Sequence, residues 1–312
     1  MIIDKYLFNN FFGVPLRINI ERVSTSKNPE GSSLCFGLTA DSFDETKLLN
    51  IDPMLIFTAE DVIFNNEIEK LHQVLRYKNP RMKYIQALRE CSSGIKSIYY
   101  SKEKIDTSLY YKHESAFISS EAIIHPFVYI GANCHISENV VILPGAKLLE
   151  NTSVGPNTII GSNTVIGEWG FSIERDNNKE REAIPRGGRP LRMPHFGGVK
   201  IGKNCNIGAL NTIASGSIMP TSLSDYVKTD DHVHIAHNCQ IGTGVAITAH
   251  VEISGSVIVE DGVWLGPNCS IIQKVTIGKD SVIGLGATVL KDIEPNSLYA
   301  GSPAKKIKEI NI

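Results

Sequence analysis

The chain has 312 residues, 42% of them hydrophobic and 21% charged, with a formal net charge of -2 at neutral pH. That is enough apolar material for a large core and a second, smaller domain, while the interspersed charges leave no broad cationic face for a phosphate backbone, so nucleic acid is not an expected partner. No apolar run is long enough to span a bilayer, and the opening MIIDKYLFNNFFGV has no cleavage-site pattern, so a cytoplasmic protein without membrane insertion is expected.

Over residues 1–114 the short apolar runs LRINI, SLCFGL, MLIFT and DVIF alternate with polar turns and read as strands. The stretch NPRMKYIQALREC reads as a helix: Pro80 stands at an allowed first-turn position, Met82, Ile85 and Leu88 are spaced for one face, and SSG follows as a stop. A small α/β domain is expected here. The six cysteines include no C-x-x-C pair, so neither a disulfide framework nor a zinc site is indicated, and Cys35 and Cys91 are expected as core or incidental thiols.

From residue 118 an aliphatic side chain returns every sixth position, from Ile118, Ile124 and Ile130 to Ile160 and Ile166. The count resumes at Ile201, Ile207 and Ile213, shifts once more, and then runs from Ile235 through Ile253, Leu265 and Ile283 to Val289. Six fits neither the helical period nor a hairpin meander; a fixed period of this kind marks a solenoid of stacked coils whose core is filled by the repeating anchors. Cys134, Cys205, Cys239 and Cys269 fall on the small inward position of the repeat and are expected as buried, compact apolar groups. The segment 167–198 breaks the count with charges, Pro and Gly and must leave the coil as a long loop, the kind that often carries function.

These hexads resemble the hexapeptide repeat of the left-handed parallel β-helix acyltransferases. The resemblance implies three hexads per triangular coil, left-handed winding, and homotrimers with sites between neighbouring prisms. The expected fold is mainly β: a small α/β domain over 1–114, the β-helix over 115–292, and a closing turn with a short C-terminal helix over 293–312.

Within this frame HVHIAHNCQIG, residues 232–242, places three of the nine histidines in one segment. His232 and His234 flank the inward Val233 and should point outward, whereas His237 lies two residues after anchor Ile235, as Gly255 does after anchor Ile253. Coils of eighteen residues would set Gly255 one rung from His237, where a backbone N–H could meet an oxygen held beside the imidazole. Read from the residues alone, the histidines could also be surface groups or, as H-x-H-x-x-H, metal ligands between subunits.

The longer stretch VKTDDHVHIAHNCQIG resembles the active-site segment of the UDP-3-O-acylglucosamine N-acyltransferases, with IGALNTIASG and GFSIERD extending the match upstream. The resemblance implies that His237 is the general base, Asp230 its paired acid and Gly255 an oxyanion donor, with His234 and Asn238 as substrate contacts. Two departures concern the substrate: Lys274 replaces a second functional histidine of that family, and residues 213–216 read IASG where the family has IDRG. The ending DSVIGLGATVLKDIEPNSLYAGSPAKKIKEI instead resembles acetyl-CoA-dependent sugar acetyltransferases. There Gly301, Pro303, Ala304 and Lys305 match the turn beside coenzyme A, and Lys306 and Lys274 join them as expected cofactor contacts. In the loop Arg186, Arg189 and Arg192 are candidate contacts for a substrate diphosphate. The first domain weakly resembles a nucleotide-binding amino-terminal domain, although its SLCFGLTADSF lacks the usual asparagine and tyrosine pattern.

The expected activity is therefore transfer of a short acyl group, acetyl first among them, from acyl-CoA as co-substrate to the amine of a nucleotide-linked amino sugar made for surface polysaccharide. No metal and no tightly bound cofactor is expected. The alternatives are lipid A acylation from an acyl carrier protein, a trimer-interface metal hydratase resembling the γ-type carbonic anhydrases, and a noncatalytic scaffold.

Overall fold

The computed structural model describes residues 3–91, 109–176 and 189–310. The chain forms two compact units, Met1–Ser101 and Lys102–Ile312.

The first unit holds four parallel strands in the order β1 (Arg22–Val23), β2 (Ser33–Gly37), β3 (Leu55–Thr58) and β4 (Gln73–Arg76). Alternation along β2 and β3 sends side chains to two cores. Leu34, Leu55 and Phe57 pack with Phe8 of helix α1 (Lys5–Phe12), while Cys35 and Ile56 pack with Leu48 of α2 (Glu45–Leu48) and Ile68 of α3 (Asn66–Leu71). Helix α4 (Pro80–Glu90) starts as its sequence predicts, with the Asn79 side chain accepting the Met82 N–H at 2.9 Å and Pro80 in the first turn. Its buried face differs from the expected one: Met82 and Ile85 are exposed, and Ala87 with Tyr84 and Leu88 faces the core instead. Two of the four expected strands also fail. LRINI and DVIF are not strands; their Leu16, Ile20, Val62 and Phe64 are buried from irregular backbone, and the fourth strand is QVLR, whose mixed polarity hid it.

Buried His72 closes this unit between two main-chain groups. The Met54 N–H donates to its Nδ1 at 3.2 Å, and its Nε2 stands 2.8 Å from the Leu48 carbonyl, so Nε2 carries the proton. Burial lowers its pKa, against the pull of that carbonyl.

The second unit is a parallel β-helix of three faces, each a ladder of short strands stacked one coil apart. Face 1 starts at Tyr111–Lys112, face 2 at Phe117–Ile118 and face 3 at Ile123–Ile124, so the helix begins a few residues before 115. The register confirms the coil of three hexads: Tyr129 pairs with Lys147 and then Lys147 with Val165, and His234 pairs with Glu252 and then Glu252 with Ser270. The anchors Ile130, Ile136, Ile142, Leu148, Ile160 and Ile166 are wholly buried along the axis, and each such side chain contributes about 1.5–3 kcal/mol by leaving water. Cys134, Cys205, Cys239 and Cys269 join them as free, buried thiols, and burial pushes Cys239 and Cys269 up to about 12. Three residues after many anchors the corner requires a left-handed residue, which explains Asn133, Asn157, Asn163 and Asn268 at φ 56–57°.

The expected C-terminal helix is absent. Lys305–Glu309 is instead a strand antiparallel to Ser297–Ala300, which would otherwise be the unpaired edge of face 3. Ladder hydrogen bonds at an open edge outweigh the modest helical preference of AKKIKE.

Candidate functional site

The coil runs from face 3 to face 1 to face 2, and the corner between faces 1 and 2 departs most from the repeat. On consecutive coils it carries the long loop, a bulge at residues 216–220, the turn holding His237, the turn holding Gly255, and the turn holding Lys274. Both breaks in the hexad count therefore leave the prism from one corner, immediately before His237.

The loop is tied down at its base. Ile173–Asp176 pairs antiparallel with Arg189–Arg192, and the Arg192 guanidinium donates to the carbonyls of Gly170, at 3.0 Å, and Trp169. The returning limb then zips onto the bulge: Phe196 N–H donates to Ser217 O and Gly197 N–H to Gly216 O, both at 2.9 Å. Arg192 thus works within the chain, where a diphosphate contact was expected. Arg189 lies in the returning strand, and Arg186 is outside the described residues.

The bulge orients the residue after His237. Ser217 donates through its N–H at 3.2 Å and its hydroxyl at 2.9 Å to Asn238 Oδ1, which identifies that atom as the oxygen; Asn238 Nδ2 donates to Met219 O. The same oxygen stands 3.0 Å from His237 Nδ1. An oxygen acceptor there requires the proton on Nδ1, so Nε2 of the neutral ring is bare and able to take a proton. Asn238, at φ 60°, is therefore a tautomer-setting neighbour of His237 in this chain.

Gly255 sits on the next coil as its spacing predicts. A Cβ at Gly255 would lie 2.8 Å from both Nε2 and Cε1 of His237, so only glycine leaves room against the working edge of the ring. Among the described residues the Gly255 N–H has no backbone partner, whereas Ser256 N–H donates to His237 O at 2.9 Å. Lys274 stacks one coil further on, its N–H on the Gly255 carbonyl at 3.0 Å.

Asp230 is not brought to this site by its own chain. It lies on the corner between faces 3 and 1, and its Oδ1 accepts the Asp231 N–H at 2.8 Å. The seven-residue spacing spans more than one hexad and so rotates the carboxylate away; it can meet a His237 imidazole only from a second copy. The other histidines also separate: His232 stacks on His250 at 4.8 Å at that same far corner, and His234 is exposed on face 1. Among the described residues no group of three or more His, Cys, Asp or Glu could hold a metal ion.

The closing turn lies on the far corner as well. Gly301, at φ 93°, and Pro303 lead into Ala304, whose N–H donates to Thr288 O at 2.8 Å; Lys305 opens the last strand, and Lys306 pairs with Glu294 and Glu309. The Lys306 charge expected for a phosphate is thus already engaged.

One site residue escaped the sequence. His195, on the returning limb, lies with its ring centroid 5.2 Å from that of His237, the planes crossing at 64°. Its only signal was its place at the end of the loop. Exposed Phe171, Phe196, Ile218 and Met219 on the loop and bulge give this corner an apolar rim.

The profile described as bacterial transferase hexapeptide (six repeats) matches residues 133–168 and 256–291, and the hexapeptide repeat of succinyl-transferase matches 198–223. The chain carries hexapeptide repeats at these residues. It is similar to a UDP-3-O-acylglucosamine N-acyltransferase of Methylobacterium nodulans, 37% identical over 127 residues covering 41% of this chain and 36% of that protein. It is also similar to a protein of the same name from Bordetella pertussis, 31% identical over 180 residues, 58% of this chain and 43% of the other. The matched region thus spans less than half the length of these relatives. Among solved structures, the Francisella novicida UDP-N-acetylglucosamine acyltransferase superposes with a TM-score of 0.56 at 28% identity, over 65% of this chain and 69% of that one. The Campylobacter jejuni UDP-N-acetylglucosamine acyltransferase does so with 0.56 at 25% identity, over 66% and 75%. Among the described residues no helix is long and apolar enough to cross a membrane.

Proposed function

We propose that the protein is an acyltransferase acting on the amine of a nucleotide-linked amino sugar, with His237 as general base. The observation that carries this reading is the bare Nε2 of His237, its tautomer set by Asn238, standing against the open backbone of Gly255. The names of the relatives and structural neighbours support a nucleotide sugar as the acceptor. As the amine nitrogen bonds to the thioester carbonyl carbon, Nε2 takes the amine proton and the Gly255 N–H binds the oxyanion. Collapse breaks the carbon–sulfur bond, and the departing thiolate receives the proton from the imidazolium. Positioning of the two substrates supplies the rest of the acceleration. Asp230 joins this chemistry as the carboxylate of a neighbouring copy in a homotrimer.

The favoured donor is a short acyl-CoA, on the likeness of the closing segment to sugar acetyltransferases. A second reading, a longer acyl group delivered by an acyl carrier protein, is supported by the apolar rim of Phe171, Phe196, Ile218 and Met219 beside the base and by the engagement of Lys306 with two carboxylates. Thiol release should be followed with acetyl-CoA and with acyl-loaded carrier protein against a panel of nucleotide amino sugars. Acceptor-dependent release from one donor class is the expected result; no release from either donor with any amino sugar would remove the proposal.

A further inference from the structure

His195 is almost fully enclosed, 4% exposed, on the returning limb of the loop. Its Nδ1 stands 2.7 Å from the Met193 carbonyl, which can only accept, so Nδ1 carries the proton and Nε2 is bare. That Nε2 is buried and has no hydrogen-bond partner among the described residues. An orphaned buried acceptor costs stability and calls for an explanation. The backbone supplies one. A Cβ at Gly170 would lie 2.9 Å from His195 Nε2 and 2.8 Å from both Cβ and Cδ2 of His237, so the absence of a side chain there lets the bare nitrogen and the edge of the base approach one point.

We propose that His195 is a positioning residue that acts through His237: its bare Nε2 holds partial negative charge beside the His237 ring and stabilises the imidazolium formed when that ring takes a proton. A neutral imidazole presents carbon-bound hydrogens of small positive charge, and protonation enlarges that charge, so the attraction grows as His237 ionises. The shielded setting strengthens it. Burial lowers the His195 pKa, against the Met193 carbonyl and with smaller contributions from His237 and Arg192, which favours the neutral ring beside the imidazolium. Among the described residues the other titratable groups on elements around this corner include Glu168, whose Oε1 takes the Trp169 N–H, Glu174 on the outgoing strand of the loop, Arg192 on its two carbonyls, His234 on the strand before His237, Glu252 beside the Ser254 hydroxyl, Lys274, and the buried Cys239 thiol. Among the described residues of one chain no carboxylate pairs with a His237 ring nitrogen, and His195 adds to what the Asp230 carboxylate of a neighbouring copy would supply.

The effect on rate rests on His237 being the base proposed above, but the coupling of the two rings does not, and it can be read without any substrate. The full chain labelled with ring-13C and 15N histidine is titrated by NMR, with the His237 signal assigned by its loss in His237→Gln. His195→Phe, which keeps a ring of similar size and removes the nitrogen, should lower the His237 midpoint by roughly half a pH unit, and His195→Gln, which can present an amide oxygen, should restore part of the shift. An unchanged or raised midpoint in His195→Phe would overturn the proposal. Should that variant not fold, the wild-type chain decides: 15N shifts should show His195 protonated on Nδ1 and bare on Nε2, and a proton on Nε2 would overturn it equally. A shifted midpoint in a protein that releases no thiol would leave this inference standing and remove only the acyltransferase reading.

Discussion

In the amino-terminal unit the rings of Phe8, Phe12, Phe57 and Tyr77 converge on one another at centroid distances of 4.6–6.4 Å, so each large side chain touches several others from different elements. In the β-helix one aliphatic side chain per rung touches chiefly the rungs above and below, and Ile253, Val259 and Leu265 fill equivalent positions without disturbing the coil. A converging core makes each residue particular; a stacked core makes each rung interchangeable. Departures from the repeat therefore stand out in the second unit, and its two breaks fall on the corner that holds His237. Stability in this molecule is spread along the faces, and individuality is concentrated at one edge.

The sharpest test of that contrast is Phe57→Ala, expected to cost the first unit about 3–5 kcal/mol while leaving the β-helix in place. Both tryptophans, Trp169 and Trp264, belong to the second unit, so urea unfolding followed by tryptophan fluorescence should keep its midpoint while circular dichroism shows an early loss. One shared transition would mean the two units are not separate. Next comes Gly255→Ala, whose methyl group would stand 2.8 Å from His237 Nε2. Displacement of the reacting groups should lower turnover about 100-fold with little change in thermal midpoint; an active Ala variant would show that this edge of the imidazole is idle. Ile253→Val, a change between residues the rungs already use, should cost only about 0.5–1.5 kcal/mol, and a larger loss in urea unfolding would contradict interchangeability.

The smallest effect concerns pH. The folded-state pKa of His72 is depressed by burial, so the unfolded chain binds the proton more readily, and stability present above the unfolded value of about 6.5 is lost as pH falls toward the folded value. The first unit's urea midpoint should fall between pH 7 and pH 5, and His72→Gln should flatten that dependence. A slope unaltered by the substitution would assign the acid sensitivity to other groups.

The β-helix could be read from the chain because its period is short and repeated, and Gly255 could be placed beside His237 because a step of one coil is simple arithmetic. The first unit was harder: Leu16 and Ile20 are buried without belonging to a strand, and QVLR is a strand without looking like one, because partners from distant elements decide both. The C-terminal strand was hidden for a related reason, since only the open edge at Ser297–Ala300 calls for it. At the site, Asp230 was assigned from the family resemblance and lies on another corner of its own chain, while the partner of Nδ1 is the adjacent Asn238. His195 arrives through the return of a long loop, a path that no periodicity encodes.

The central claim is that the bare Nε2 of His237 removes the proton from an attacking amine. Acceptor-dependent thiol release measured for His237→Ala tests it most directly. Turnover should fall by about 10²- to 10⁴-fold in a chain whose tryptophan unfolding transition matches that of the parent. A variant that folds and keeps full turnover would contradict it.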